Sequence, residues 1–328
     1  MDATAAAKLL DHYAANARDL PWRLATRDPY RTWLSEVMLQ QTTVATVTPR
    51  FRRFLERWPT VQALAAAPEE EILGEWAGLG YYARARNLIA CARAVAERGR
   101  FPATESELRK LPGLGAYTAA AVAAIAFGED AVPVDTNVER VVARVFGLAK
   151  RADVPAAART WFPAGRHGDF AQALMDLGAS ICRPKRPACD RCPLAADCRA
   201  AALGTPEAFP APKVKKERPH RHGVAWWIRR GDEVWLVRRP AEGLLGGMAS
   251  LPGPEWTDDR PQVNALAIHR HGFTHFSLDL HLVPQGDPPA GEGWWQPIAD
   301  LAAAGLPTLY RKAAEAALAA EREPKLAA

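Results

Sequence analysis

The sequence lacks any feature that would place the protein in or across a membrane. Its longest uninterrupted apolar run, residues 119–127, has nine residues, far short of the ~20 that a membrane-spanning helix needs. The first residues include an acid at position 2 and carry charges throughout, so they lack the basic start and apolar centre of a secretory signal. We therefore expect a cytoplasmic protein without a membrane-spanning segment.

Cysteine is scarce as well, with five in 328 residues. Four of them, Cys182, Cys189, Cys192 and Cys198, fall in one short segment with six, two and five residues between them. Zinc sites usually pair two CxxC knuckles, whereas one CxxC flanked by two outlying cysteines suits a single cubane cluster. We predict a [4Fe–4S] cluster in this loop, 182–198. Zinc and two disulfides are the alternatives, and disulfides are rare in the cytosol.

The charge of the chain favours a polyanionic partner. The net charge is +5 and the pI about 9.0, and four cations lie between Cys182 and Cys192 against one acid, Asp190. This placement predicts a basic loop that faces a nucleic acid. The alternative is a solvated loop that balances the negative thiolates.

The organisation of the chain indicates two domains, as expected for this length. The helical pattern runs from residue 20 to about 202 and predicts a helical domain over 1–203. Residues 204–222 are rich in proline and basic side chains and predict an extended linker. Residues 223–328 predict an α+β domain. It has a hairpin turning near Gly231, an alternating strand over 276–282 and a final helix over about 309–320.

Two carboxylates are candidates for acid–base chemistry. Glu36 lies beside the apolar stripe of a predicted helix, where partial desolvation would keep its carboxyl protonated toward neutral pH, although a surface position is the commoner outcome for such a residue. Asp135 lies at a predicted helix start. Thr136 and Glu139 form a capping box there, which would leave Asp135 available for another task.

Between these residues, the segment LPGLG at 111–115 precedes an Ala-rich helix that we expect to begin near Tyr117. This is a helix-hairpin-helix signature over about 111–118, and its exposed backbone amides can hold a phosphate. A generic loop between two helices is the alternative.

This hairpin, the following aspartate and the cysteine loop, in that order, resemble the endonuclease III superfamily of DNA glycosylases. Three segments, LPWR at 20–23, WLSEVMLQQT at 33–42 and GLGYYARARN at 78–87, resemble its adenine glycosylase (MutY) branch. The resemblance implies a mainly α helix-hairpin-helix glycosylase domain with a [4Fe–4S] loop. It also implies a monomeric enzyme that acts on double-stranded DNA and removes adenine opposite 8-oxoguanine or guanine.

The resemblance also implies roles for individual residues. Glu36 would protonate adenine and Asp135 would stabilise the oxocarbenium-like sugar, with the site supported by Tyr117 and Asn137. DNA and lesion contacts would come from Arg23, Gln41, Tyr81, Leu111, Gly113, Gly115, Phe273, Thr274 and His275. Residues 115–118, GAYT, lack the lysine of the bifunctional members, so a Schiff-base lyase is disfavoured. Thr136 departs from the glycine of many adenine glycosylases.

The C-terminal domain resembles the Nudix-like domain attached to this branch. The glutamate-rich helix that holds Mg²⁺ in Nudix hydrolases has no counterpart after residue 248, so we expect lesion recognition through 273–275 instead of nucleotide hydrolysis. Two other functions stay open. One is a related cluster glycosylase that acts on another mispair, such as thymine opposite guanine. The other is a non-catalytic, cluster-dependent DNA-binding protein or redox sensor.

Overall fold

The computed structural model describes residues 3–322 except 25, 77, 213–217, 241–242 and 302. The chain divides into two compact units, Met1–Val214 and Lys215–Ala328. This division splits the predicted linker, 204–222. The backbone amide of Ala211 donates to the carbonyl of Ala149 at 3.0 Å, so the start of the predicted linker packs on the first unit. Its last residues, from His220, open a strand of the second unit, and its lysines at 213, 215 and 216 lie outside the described residues.

The first unit is helical, as predicted. Its helices are α1 (Ala3–Asn16), α2 (Pro29–Leu39), α3 (Val44–Arg57), α4 (Val61–Ala66), α5 (Glu69–Trp76), α6 (Tyr82–Arg98), α7 (Glu105–Leu108), α8 (Ala116–Val122), α9 (Thr136–Phe146), α10 (Val154–Trp161), α11 (His167–Ser180) and α12 (Arg199–Ala202), with a π-helix at Ala123–Phe127 that continues α8.

Two hydrophobic cores fill this unit. Helices α2 to α8 bury the first core, which centres on aromatic residues such as Trp33, Phe51 and Trp76. Helices α1, α9, α10 and α11 bury the second. The two cores meet at a seam between α11 and the π-helix, where a Cβ on Gly168 would lie 2.4 Å from the carbonyl oxygen of Ala124. Only glycine permits this approach of two backbones.

The second unit contains two sheets and a closing helix. The strands are β1 (His220–Trp227), β2 (Arg229–Arg230), β3 (Glu233–Arg238), β4 (Ala249–Ser250), β5 (Ala267–Gly272), β6 (Ser277–Pro284) and β7 (Trp294–Pro297), followed by α13 (Thr308–Arg322). One sheet has the order β1-β6-β5, with β1 parallel to β6. In the other, β3 pairs with β2, β4 and β7.

Three predictions for this unit are confirmed. Strands β2 and β3 pair as a hairpin through Gly231. The leucines of β6 alternate into the core beneath α13, so that this strand is half-buried. The predicted final helix, over about 309–320, forms as α13. Among the described residues of the whole chain, no helix has the length and apolarity to cross a membrane.

Candidate active site

Glu36 lies on α2, whose start is marked in the sequence by a capping residue and a proline. Asp28 caps the helix by accepting from the amides of Tyr30 and Arg31 at 2.9 and 3.2 Å, and Pro29 occupies the first turn. The predicted apolar stripe is buried in the first core. Glu36 is buried with it, at 9% exposure, and its Oε2 accepts from the hydroxyl of Tyr117 at 2.7 Å.

The surroundings of Glu36 favour its protonated form. Burial is the largest cause and raises the pKa of this carboxyl from 4.5 to about 7. The charge of Asp135 raises it further, whereas the hydrogen bond from Tyr117 and the charge of Arg23 lower it. A carboxyl with this pKa holds its proton near neutral pH and can deliver it to a substrate atom.

The structure corrects the expected capping of α9. Asp135 is itself the cap, because its Oδ1 accepts from the amide of Val138 at 2.7 Å. Its second oxygen accepts from the side-chain amide of Asn137 at 2.8 Å, while Glu139 pairs with Arg151 instead of closing a capping box. Capping therefore does not compete with a role for Asp135, since it orients the carboxylate and holds it at a helix N-terminus.

A continuous series of hydrogen bonds runs from Asp135 to the cysteine loop. Asn137 accepts from Nη2 of Arg140 at 2.9 Å, and Nε of Arg140 donates to the carbonyl of Cys182 at 2.8 Å. Arg140 also donates to the carbonyl of Gly178 at 2.7 Å. Sequence reasoning missed Arg140, whose only signal was its position one turn beyond Asn137.

Glu36 and Asp135 line one open cleft of about 950 Å³, whose walls include residues from both cores. Tyr117, Asn137, Gln41 and Tyr81 line the same cleft. Gln41 and Tyr81 have left-handed backbones, with φ of +56° and +48°, a conformation that costs a non-glycine residue roughly 1–2 kcal/mol. Tyr81 is also 51% exposed, so a large aromatic face stands at the rim of the cleft.

Arg84 connects these rim residues to the helix that carries Glu36. One of its terminal nitrogens donates to the carbonyl of Val37 at 2.8 Å, and the other donates to the carbonyl of Leu79 at 3.0 Å. Its guanidinium lies 5.5 Å from the ring centroid of Tyr81. This residue was also missed, although it stands within the GLGYYARARN segment.

Arg23, predicted as a DNA contact, forms an ion pair inside the unit. Its guanidinium donates to both carboxylate oxygens of Asp176, at 2.6 and 2.9 Å, and Arg18 donates to the same group. Burial alone would raise the pKa of Asp176, but these two arginines hold it below its usual range. Arg23 and Glu36 line a second, smaller cavity beside the cleft, so the structure gives Arg23 a place in the wall next to the acid.

The predicted hairpin joins α7 to α8. Gly113 has φ of +74°, and a Cβ there would lie 2.6 Å from Cβ of Asn87, so this turn requires glycine. Gly115 has an ordinary backbone and caps α8, which begins at Ala116 next to the expected start. Leu111 packs against the first core. The turn therefore presents backbone at a helix N-terminus.

The four loop cysteines surround one cavity with an apolar wall. None of the four forms a disulfide, which disagrees with the disulfide alternative. Burial raises the pKa values of Cys189, Cys192 and Cys198, that of Cys192 to about 11, and their mutual charges add to this effect. A bound metal centre reverses this cost because it takes thiolates as ligands, so the donor set fits a metal group.

Arg144 supports this loop from α9. It is buried, and it donates to Sγ of Cys182 at 3.3 Å and to the carbonyls of Arg183 and Pro184 at 2.7 and 3.0 Å. A positive group beside the sulfur compensates the negative charge that four thiolates would bring.

In the second unit, residues 273–275 form the turn between β5 and β6. Phe273 anchors it by stacking on Phe276, with ring centroids 4.7 Å apart, and the Phe273 amide donates to the Phe276 carbonyl at 2.8 Å. Thr274 and His275 are exposed at its tip. The turn therefore presents a hydroxyl and an imidazole outward.

Comparison with known proteins defines the class of this chain. Residues 34–164 match the family model of the HhH-GPD superfamily base excision DNA repair proteins, and residues 223–316 match that of the NUDIX domain. A thermostable thymine-DNA glycosylase has a similar structure, with a TM-score of 0.56 and 33% identity over 61% of this chain and 96% of that one. A non-covalent Endonuclease III–DNA complex gives a TM-score of 0.52 and 28% identity, covering 62% and 98%.

Relatives with similar sequences define the family more closely than the structures do. An adenine DNA glycosylase of Buchnera aphidicola from Schizaphis graminum is 31% identical over 84% of this chain and 85% of its own length. The human adenine DNA glycosylase is 36% identical over 76% of this chain. The chain belongs to the adenine DNA glycosylase family. It spans 57% of the human relative and 51% of the Arabidopsis thaliana relative.

Proposed function

We propose that this chain hydrolyses the N-glycosidic bond of adenine that is mispaired with 8-oxoguanine or guanine in double-stranded DNA. The observation that carries the proposal is the buried Glu36 carboxyl, with its pKa raised to about 7, in one cleft with Asp135. Cleavage through an oxocarbenium-like transition state needs a proton donor and a second carboxyl group close to the sugar.

In the proposed reaction, Glu36 delivers its proton to N7 of adenine, which makes the base a neutral leaving group. The Asp135 carboxylate, oriented by Val138 and Asn137, stabilises the positive charge that develops on the sugar. Water then bonds to the sugar carbon and gives a proton back to the Glu36 carboxylate, which restores the acid. Tyr117 keeps the Glu36 carboxyl in position. No lysine occupies residues 115–118, so the reaction ends at base removal.

The duplex is held and opened by other residues of the same unit. The backbone at Gly113 and Gly115 contacts a phosphate, and Tyr81 with Gln41 enters the stack as adenine leaves it. Unstacking costs a few kcal/mol, less for a mispaired base, and an aromatic face replaces part of the lost stacking. Arg23 forms a wall of the base pocket. A monomeric state and a cytoplasmic location stay predictions.

We further propose a [4Fe–4S] cluster on Cys182, Cys189, Cys192 and Cys198. Once bound, the cluster fixes the fold of a basic loop that faces the DNA backbone. Arg144 compensates its charge, and Arg140 connects the loop to the residues around Asp135. Iron and sulfide analysis of anaerobically purified protein tests this assignment, with a single zinc and no sulfide as the contrary outcome.

In the second unit, the 273–275 turn reads the opposite base. Replacing Thr274 by Val removes the hydroxyl and retains the shape of the side chain. We expect reduced preference for A opposite 8-oxoguanine over A opposite G, with the rate on A opposite G retained as an internal control. Equal loss on both substrates would contradict lesion reading by this turn.

The main proposal is tested with duplexes that contain A opposite 8-oxoguanine, A opposite G, or T opposite G. We expect alkali-dependent strand cleavage at adenine in the first two. Cleavage only at thymine would favour the activity named for the thymine-DNA glycosylase relative. Binding without base loss would favour a sensor.

A further inference from the structure

The exposed side of the β1-β6-β5 sheet carries a cluster of metal-binding side chains, away from the cysteine loop in the sequence. His220 and His222 lie on β1, and the parallel register places His222 opposite Asp279 of β6. One ligand atom from each of the three lies within 4.8 Å of the others. We propose that His220, His222 and Asp279 bind a zinc ion.

The distances require only a modest closure. Zinc ligands at 2.0–2.1 Å in a tetrahedron are roughly 3.4 Å apart, and Nε2 of His220 is already 3.3 Å from Oδ2 of Asp279. All three side chains retain some exposure, so they can close further without disturbing the core. Imidazole nitrogens select zinc over Mg²⁺ or Ca²⁺, which prefer oxygen ligands. Water completes the coordination.

Each imidazole already has a partner that leaves one nitrogen for the ion. Nδ1 of His220 lies 2.7 Å from the hydroxyl of Ser277, and Nδ1 of His222 lies 3.5 Å from Nε2 of the buried His281. Nε2 of His220 faces Asp279, and the contact between Nδ1 of His222 and His281 leaves Nε2 of His222 for the ion. Such outer partners fix the tautomer and orientation of zinc-binding histidines.

A cation competes for the carboxylate. Arg270 on β5 donates to both oxygens of Asp279, at 2.8 and 3.1 Å. Its side chain is 77% exposed, so it can move into solvent when the ion binds. Because Arg270 competes with the ion for Asp279, it lowers the affinity of the site for zinc. Removal of Arg270 should therefore raise that affinity.

Zinc at this position would join β1 to β6 three residues beyond Phe276, next to the 273–275 turn. The ion would therefore hold the first strand of the unit against the strand that carries the turn. The inference does not depend on the glycosylase reaction, since none of these residues lies in the cleft of the first unit.

Equilibrium dialysis of the full chain against micromolar Zn²⁺, with zinc and iron quantified together, tests the proposal. We expect one zinc per chain at full iron content, and its loss in His222→Gln and Asp279→Asn. His271→Gln is the matched control, because His271 lies on the opposite face of the same sheet, paired with Leu278. Ser277→Ala should weaken binding roughly 10–100-fold.

Arg270→Ala supplies a test that keeps every ligand in place. We expect it to bind zinc more tightly than the unmodified chain, because the competing guanidinium is gone. Unchanged affinity in this variant would overturn the proposal, as would absence of stoichiometric zinc in the unmodified chain or equal zinc in the His222 and Asp279 variants.

Discussion

The sharpest prediction concerns Glu36→Gln, which retains the shape of the side chain and an oxygen that can accept from Tyr117 but removes the titrating proton. Without a proton to deliver, the variant should lose adenine release in single-turnover assays while it still binds the mispaired duplex. General acid catalysis contributes typically 10²–10⁴-fold, so the expected loss is at least about 100-fold.

The same substitution should change stability in a pH-dependent way. A pKa of about 7 in the folded chain against 4.5 means that the folded state binds the Glu36 proton more tightly than the unfolded state. Between these values, unfolding releases a proton, so a rise in pH destabilises the unmodified chain. A difference of about 2.5 pKa units corresponds to about 3 kcal/mol. The variant avoids this cost and should be more stable than the unmodified chain above pH 7, by an amount that vanishes near pH 4.

Urea denaturation of both proteins at several pH values, with iron content matched, measures this difference in unfolding free energy. Glu56→Gln, which removes an exposed carboxyl from α3, controls for the change in charge. A stability difference between Glu36→Gln and the unmodified chain that does not vary from pH 4 to 8 would refute the raised pKa. A near-normal single-turnover rate would refute the role of Glu36 as the acid.

Three further predictions follow from the site. The single-turnover rate of the unmodified chain should decrease as pH rises through about 7, because Glu36 loses its proton. Tyr117→Phe should move this decrease to higher pH, because it removes the hydrogen bond that lowers the Glu36 pKa. A pH profile that is the same in both proteins would contradict this. Arg144→Met leaves several buried acceptors unpaired, at about 1 kcal/mol each, so iron per chain and the urea midpoint should both fall; full iron content would count against the role of Arg144. Gly113→Ala should lose at least roughly 1–2 kcal/mol of stability, because residue 113 has a left-handed backbone. Gly115→Ala should fold normally. A loss of duplex affinity in Gly115→Ala, measured at two salt concentrations, would therefore report on phosphate contact alone.

Local patterns in the sequence predicted much of the fold. The valines of α9 and the leucines of β6 repeat with the periods of a buried helix and a half-buried strand, and both elements form as expected. The start of α8 after Gly115 was also predicted within a residue. These features depend on neighbours in the chain, which a single sequence displays directly.

The missed features depend on residues far apart in the chain. The ion pair between Arg23 and Asp176 joins residues 153 positions apart, and the contacts of Arg84 with α2 span 47. No periodicity reports such pairs. The capping by Asp135 was misjudged for a different reason, because Arg151 draws Glu139 away from the position that a capping box requires.

The seam at Gly168 joins the core that includes α2 to the core that includes α9. Glu36 lies on a helix of one core, and Asp135 begins a helix of the other. The distance between these two carboxyl groups therefore depends on how closely α11 and the π-helix pack. A methyl group at Gly168 would lie too close to the carbonyl oxygen of Ala124, so α11 and the π-helix would have to move apart. We expect Gly168→Ala to increase the distance between Glu36 and Asp135, although neither residue is changed. The distance between the proposed acid and its partner carboxylate therefore depends on a glycine that does not line the cleft.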